Sequence, residues 1–386
     1  MTTFLLLWLF AQVAVVAFVW LFTVGLGEPA DRDLTGRVVL IVAVKGPDPE
    51  FDHFLAGLAA QNYPDFRTVF AVQAADDPAV AQVERFRAGR EDRVAIVVAG
   101  LVEDEGQKSA NLRAALKSVT PSDDFVVFAD ANIRPDPDWL RRLIAPLARG
   151  EAEVVSGFAW GIPAMRTLPS FALTGMSNAL ITVPRLPLFN AAWGGSTALR
   201  RDKCEALDLD RGWRGTVSDD LQLTRLALKA GYRISVPREL LPRAFITAEN
   251  FGDLFSEGVR WLLLFRVYMP ATFALVICLL TLNSAGWLLA LAGTLAGNAF
   301  AFKILLAAFV LMLARTAGRV RIAMTLWGKP GIEENRAYFY FDAVLAPLAT
   351  TLSAACAWIA LFRSETTWAG VTYALDGPQR VRIIRR

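Results

Sequence analysis

The sequence predicts a doubly wound α/β domain with a mainly parallel sheet, set between an N-terminal membrane helix and a C-terminal membrane region. Three observations lead there. Residues 4–25 and two stretches after Pro270 are apolar over roughly 20 residues, the length that spans a bilayer. Between them, short apolar runs alternate with amphipathic segments, as strands buried on both faces alternate with crossover helices. The hydrophobic share is 54% of 386 residues and the mean hydropathy is +0.39, more apolar than an ordinary soluble protein.

The elements follow in order. The stretch 4–25 has no basic leader and no small-residue cleavage site, so residues 1–27 are expected to stay as an anchor. A polar linker, 28–37, opens a domain that runs to residue 250. Its expected strands are 38–44, 68–73, 94–99, 125–129, 154–160, 192–199 and 233–236. Its expected helices are 51–61, 80–88, 108–118, 137–148, 165–179 and 220–229. Residues 251–270 read as an interfacial helix, and 271–362 as a membrane region with spans at 271–293 and 294–314.

Arg315, Arg319, Arg321, Lys329 and Arg336 then form a basic loop, which belongs on the cytoplasmic side together with the α/β domain. Residues 320–327 have the character of an interfacial helix, with Trp327 at headgroup level. The stretch 338–362 contains Asp342 and Pro347, and a re-entrant hairpin broken at Pro347 would return the basic tail 363–386 to the cytoplasm. The expectation is an integral membrane protein.

Composition excludes several activities. A net charge of +3 gives no reason to expect nucleic acid as a partner, and no protein partner can be inferred. Cys204, Cys278 and Cys356 have neither disulfide nor zinc spacing. The one histidine, His53, falls on an early helix, so a general base must be a carboxylate.

The candidate chemistry gathers at strand ends. Asp130 and Asn132 close an apolar strand, where open α/β sheets bind ligands, and their hard oxygens suit Mg²⁺ or Mn²⁺. Asp76 and Asp77 close the second strand. A carboxylate there can meet a nucleotide or, equally, serve the N-terminus of a helix before Pro78. Lys108 starts a helix and can meet a phosphate, although a solvated surface lysine is the simpler reading. Gly194-Gly195 permits close backbone approach or a bulge. Asp219 with Gln222 fits a capping box, which leaves Asp220 free as a base. Glu257, Arg260 and Trp261 share a helix face, where Arg260 can neutralise a diphosphate and Trp261 can meet a sugar or anchor at the interface.

The order Asp77, Asp130, Asp220, then a basic-aromatic helix resembles the ceramide glucosyltransferases and their bacterial relatives, inverting glycosyltransferases of the GT-A fold. The family pattern is three spaced aspartates followed by Gln/Arg-x-x-Arg-Trp. The likeness is close at Lys45-Gly-Pro-Asp-Pro49, Gln61-Asn-Tyr-Pro64 and Val72-Gln-Ala-Ala-Asp-Asp-Pro-Ala79, and looser at Thr367-Trp-Ala-Gly-Val-Thr-Tyr373. It implies a GT-A nucleotide-diphospho-sugar transferase domain using a UDP-sugar donor, a membrane lipid acceptor and Mg²⁺ or Mn²⁺. Asp77 would bind the nucleotide, Asp130 and Asn132 the metal, and Asp220 would act as base. Lys45, Lys108, Asp219, Arg260 and Trp261 would complete the donor site. Two positions depart from the pattern: Glu257 replaces Gln or Arg, and Asn132 replaces a second aspartate. Ceramide, diacylglycerol and hopanoids remain open as acceptors, and a polysaccharide synthase or a non-catalytic nucleotide-binding scaffold are the rival readings.

Overall fold

The computed structural model describes residues 1–31, 33–182 and 189–386, so Arg32 of the linker lies outside the described residues. An apolar helix α1 (Thr2–Phe22) leads through the linker into β1 (Val38–Ala43), α2 (Phe51–Ala59), β2 (Phe66–Val72), α3 (Pro78–Arg87) and β3 (Val94–Val98). Next come α4 (Gln107–Leu116), β4 (Phe125–Asp130), a short β5 (Ile133–Arg134) and α5 (Trp139–Ala148). β6 (Val154–Ser156), β7 (Trp160–Pro163), α6 (Leu168–Asn178), β8 (Ser196–Arg200), α7 (Arg201–Ala206) and α8 (Leu209–Gly212) continue the domain. It closes with α9 (Asp219–Lys229), β9 (Ile234–Ser235), β10 (Arg243–Ile246) and α10 (Phe251–Tyr268).

The main sheet has the order β3-β2-β1-β4-β8-β6-β9. Its pairs are parallel except where β8 meets β4 and β6. β1 and the apolar part of β4 are buried because helices cover both faces, which is why they read as unbroken apolar runs. Register aligns Ala43 with Ala71 on one side and with Asp130 on the other. The loops after β1, β2 and β4 therefore open at one edge. Antiparallel β8 begins at that same edge, with Ser196 opposite Ala129.

Several expected elements change. The single strand 154–160 is two strands in different sheets, since β7 pairs with β10 beside β5. The chain leaves the main sheet at Gly157, where a Cβ would lie 2.8 Å from Ser196 Oγ. The strand expected from residue 192 starts only at Ser196, because Trp193 to Ser196 forms a turn closed by Ser196 N–H on the Trp193 carbonyl (3.0 Å). The strand expected at 233–236 shortens to two residues.

After the domain come two long apolar helices, α11 (Pro270–Leu295) and α12 (Ala299–Phe362). Among the described residues three helices, α1, α11 and α12, are long and apolar enough to cross a membrane. α12 folds back on itself at Gly328, whose φ of 64° and ψ of −153° interrupt the helix. Arg315, Thr316 and Arg319 on one side of Gly328 reach Asp342 on the other, at 2.9, 2.8 and 2.6 Å. The hairpin expected at Pro347 is corrected by this: backbone angles stay helical through Pro347, and Gly328 makes the reversal. Residues 320–327 are likewise the end of a long arm rather than a separate interfacial helix. The returning arm packs on α6 and α10, with Phe341 stacked on Phe171 (5.8 Å) and Cys356 against Gly258.

Asp342 is 2% exposed between two guanidinium groups. Asp342→Ala would leave the buried Arg319 and the partly exposed Arg315 without that carboxylate, a change that costs about 3–5 kcal/mol where the stranded charge is buried. A markedly lower unfolding temperature in detergent is the expected result, and an unchanged one would show that the arms are held by apolar packing alone.

The tail expected to be only basic is folded. β11 (Glu365–Trp368), β12 (Val371–Gly377) and β13 (Arg380–Arg385) form an antiparallel sheet that docks on the domain. Val371, Tyr373, Leu375 and Val381 join the same buried core as Val217. Gln379 Nε2 donates to the carbonyls of Gly212 and Arg214, at 3.0 and 3.2 Å.

Candidate active site

Asp130 ends β4 and is held by Lys108 from the first turn of α4, whose Nζ lies 2.6 Å from Asp130 Oδ1 and 3.2 Å from Asp219 Oδ1. One ammonium thus draws together carboxylates 89 residues apart in sequence. The helix start is fixed because Gly106 N–H donates to the Thr216 carbonyl (2.8 Å), and a Cβ at Gly106 would lie 2.9 Å from Val217 Cα. Gly194 has no room for a side chain either, since its Cβ would stand 2.8 Å from Lys108 Nζ and 2.9 Å from Asp219. The close approach expected of this glycine is to the protein's own charged cluster.

Burial works against the charge on Lys108, but Asp130, Asp219 and Asp220 around it outweigh burial and raise its pKa. Asp219 is 3% exposed. Burial, with Asp220 and Asp130 nearby, pushes its carboxyl up to about 7 against the opposing pull of Lys108, which it shares with Asp130. A carboxyl with a raised folded pKa binds its proton more tightly when folded, so it stabilises fully below about pH 4. That contribution is lost as pH rises to about 7. Asp219→Asn should remove this slope. Unfolding temperatures at pH 5 and pH 8 should converge in the variant relative to the native chain, and parallel profiles would contradict the buried-acid account.

The expected capping box does not form. Ser218 caps α9 through Leu221 N–H, and Gln222 donates instead to the Gly212 carbonyl (3.0 Å). Asp220 is partly exposed, and its carboxylate is held by three donors: Ser218 Oγ at 2.5 Å, Leu221 N at 2.7 Å and Gly194 N at 3.1 Å. The loop before it is pinned by Tyr268, the last residue of α10. Its Oη accepts from Val217 N (3.0 Å) and Ser218 N (3.3 Å) and pairs with Thr216 Oγ1 (2.6 Å). Sequence reasoning missed Tyr268, since one tyrosine in an apolar helix carries no signal until the loop is seen against it.

A cleft of about 170 Å³ opens beside Asp130, lined by Lys45, Gly46, Asp48, Asn132 and Trp368 among others. Burial, then the neighbouring Glu50 and Asp130, raises the pKa of Asp48. Asp77 caps α3 through Ala79 N–H (3.0 Å) and also accepts from Gly46 N–H (2.8 Å), so it shapes the loop that carries Lys45. Arg260 forms an ion pair with Glu257, the residue that departs from the Gln/Arg-x-x-Arg-Trp pattern, and Trp261 Nε1 donates to the same carboxylate (2.9 Å). Arg260 also lies over the Trp368 ring, 4.8 Å from its centroid. Asp48 and Trp368 fall inside the stretches 45–49 and 367–373 that carry the likeness, but neither was expected at the site.

Among the described residues no group of three His, Cys, Asp or Glu side chains could hold a metal by itself. Asp130 and the exposed Asn132 offer hard oxygens that would suit a divalent ion bound together with a diphosphate.

A mainly parallel sheet with charged residues converging on the loops at one edge is a mixed α/β domain of the kind that binds ligands at its strand ends, and the family match and solved structures below make it a GT-A glycosyltransferase fold. A family model for glycosyl transferase family 21 matches residues 6–381, and the chain belongs to that family and is a sugar transferase. Among solved structures, the mannosyltransferase PcManGT from Pyrobaculum calidifontis, in complex with GDP-Man and Mn²⁺, is 19% identical. Its alignment covers 85% of this chain and 99% of that one, with a TM-score of 0.52. S. aureus TarS 1-349 in complex with UDP-GlcNAc is 14% identical over 90% of this chain and 99% of its own, with a TM-score of 0.40. No curated protein matches the sequence.

Proposed function

We propose that the protein transfers a hexose, glucose first among the candidates, from a UDP-sugar to a lipid hydroxyl such as that of ceramide, with inversion. The observation that carries this reading is the bond between the catalytic loop and the helix entering the membrane. Tyr268 holds Val217 and Ser218, and α11 begins two residues later at Pro270. A site fixed to the foot of an apolar helix is suited to an acceptor whose polar head lies at a bilayer surface.

In this mechanism the acceptor oxygen attacks the anomeric carbon and the bond to the β-phosphate oxygen breaks. Asp220 takes the acceptor proton, and the electron pair leaves on UDP. Asp130 and Asn132 would hold Mg²⁺ or Mn²⁺, which supplies countercharge to the diphosphate. Lys45, Lys108, Asp219, Arg260 and Trp261 line or support the donor side. The catalytic domain would face the cytoplasm from a bacterial inner membrane, on the side of the basic residues 315–336.

The test is UDP release by the purified full chain with ceramide, diacylglycerol, a hopanoid or no lipid. Release that depends on lipid, with an inverted glycosidic product, is expected. Equal release with and without lipid, or none from any UDP-sugar, overturns the assignment.

A further inference from the structure

We propose that Trp368, contributed by the C-terminal sheet, is a donor-binding residue that stacks against the nucleotide half of the donor. The inference rests on the donor reading above and extends it to a segment 236 residues beyond Asn132. Trp368 lines the cleft with Lys45, Gly46, Asp48 and Asp130. It ends β11, and the turn that follows is set by Ala369 and Gly370, both in the left-handed region at φ 49° and 81°.

That turn is built into the site. Lys45 Nζ donates to the Ala369 carbonyl (2.7 Å), so the loop after β1 and the tail hold one another. Arg260 lies over the indole and holds it by a cation–π contact. The sheet behind is anchored at Gly215, where a Cβ would lie 2.5 Å from the Gln379 carbonyl and where φ is 67°. An indole braced by a cation and facing a cleft beside Lys45 and Asp130 offers a flat apolar surface next to charge. That combination suits a heterocyclic base or ribose attached to a diphosphate, since every nucleobase has a face to stack.

The experiment is calorimetric titration of the full chain in detergent with UDP and with UDP-glucose, in the presence of Mg²⁺. Trp368→Ala should bind UDP roughly 10- to 100-fold more weakly, the usual loss when a stacking aromatic is removed. UDP-glucose should lose the same factor, because the contact is with the nucleotide half. Trp368→Phe keeps a ring and should recover most of the affinity, while unfolding temperatures of both variants report whether the tail remains docked. Native affinity in Trp368→Ala, a loss confined to UDP-glucose, or no recovery in a folded Trp368→Phe would each overturn the proposal while leaving the donor assignment intact. If the native chain binds no UDP at all, the donor reading falls and this inference falls with it.

Discussion

Asp220→Asn should turn over roughly 10²–10⁴-fold more slowly than the native enzyme, the usual worth of a positioned base, while binding UDP-sugar almost as well. The amide keeps the size of the side chain but accepts no proton at neutral pH. Its oxygen can still take one of the hydrogen bonds now offered by Leu221, Ser218 and Gly194, so the turn before α9 should persist. Donor affinity should hold because most of the proposed donor contacts lie on other elements, Lys45 after β1, Asp130 at the end of β4 and Lys108 on α4, while Asp219 beside it turns inward to Lys108. The lipid assay and a UDP-sugar titration together check both halves. An Asp220→Asn enzyme that fails to bind donor would move Asp220 to the donor site, and full turnover would remove it from the mechanism.

Asp130→Ala should cost roughly 10²-fold or more in kcat/KM, reflecting the several kcal/mol a divalent ion contributes where negative charge develops. Excess EDTA should reproduce the loss in the native enzyme, and Mn²⁺ or Mg²⁺ should reverse it. The same variant should leave Lys108 paired with Asp219 alone, so folding should suffer far less than activity. Undiminished turnover in chelator would show that Lys108 and its neighbours neutralise the diphosphate without metal.

The parts of this architecture that were legible in the sequence are those where one physical requirement dominates. β1 and β4 must bury both faces, so they appear as Val38–Ala43 and Phe125–Asp130 with few polar residues. Asp130 was legible because a carboxylate interrupting such a run needs a reason. The cap of α9 was not, since Ser218, Asp219 and Asp220 all favour a helix start and only the tertiary pull of Lys108 decides which side chain turns inward. The reversal at Gly328 was hidden for a similar reason: Pro330 and Pro347 are the stronger helix breakers by type, yet both are accommodated within helical backbone. The tail sheet escaped notice because its arginines made residues 380–386 read as a solvated basic end, while alternate positions such as Val381 pack inward.

The docked tail also bears on the order in which the protein is made. Val217, two residues before Asp219, packs into a core that residues 371–381 complete, and these are translated after α1, α11 and α12. A nascent chain can therefore insert α1, α11 and α12 and form its main sheet while the catalytic loop still lacks part of its support. Competence for sugar transfer should arrive as a late event in biosynthesis, separated in time from insertion into the bilayer.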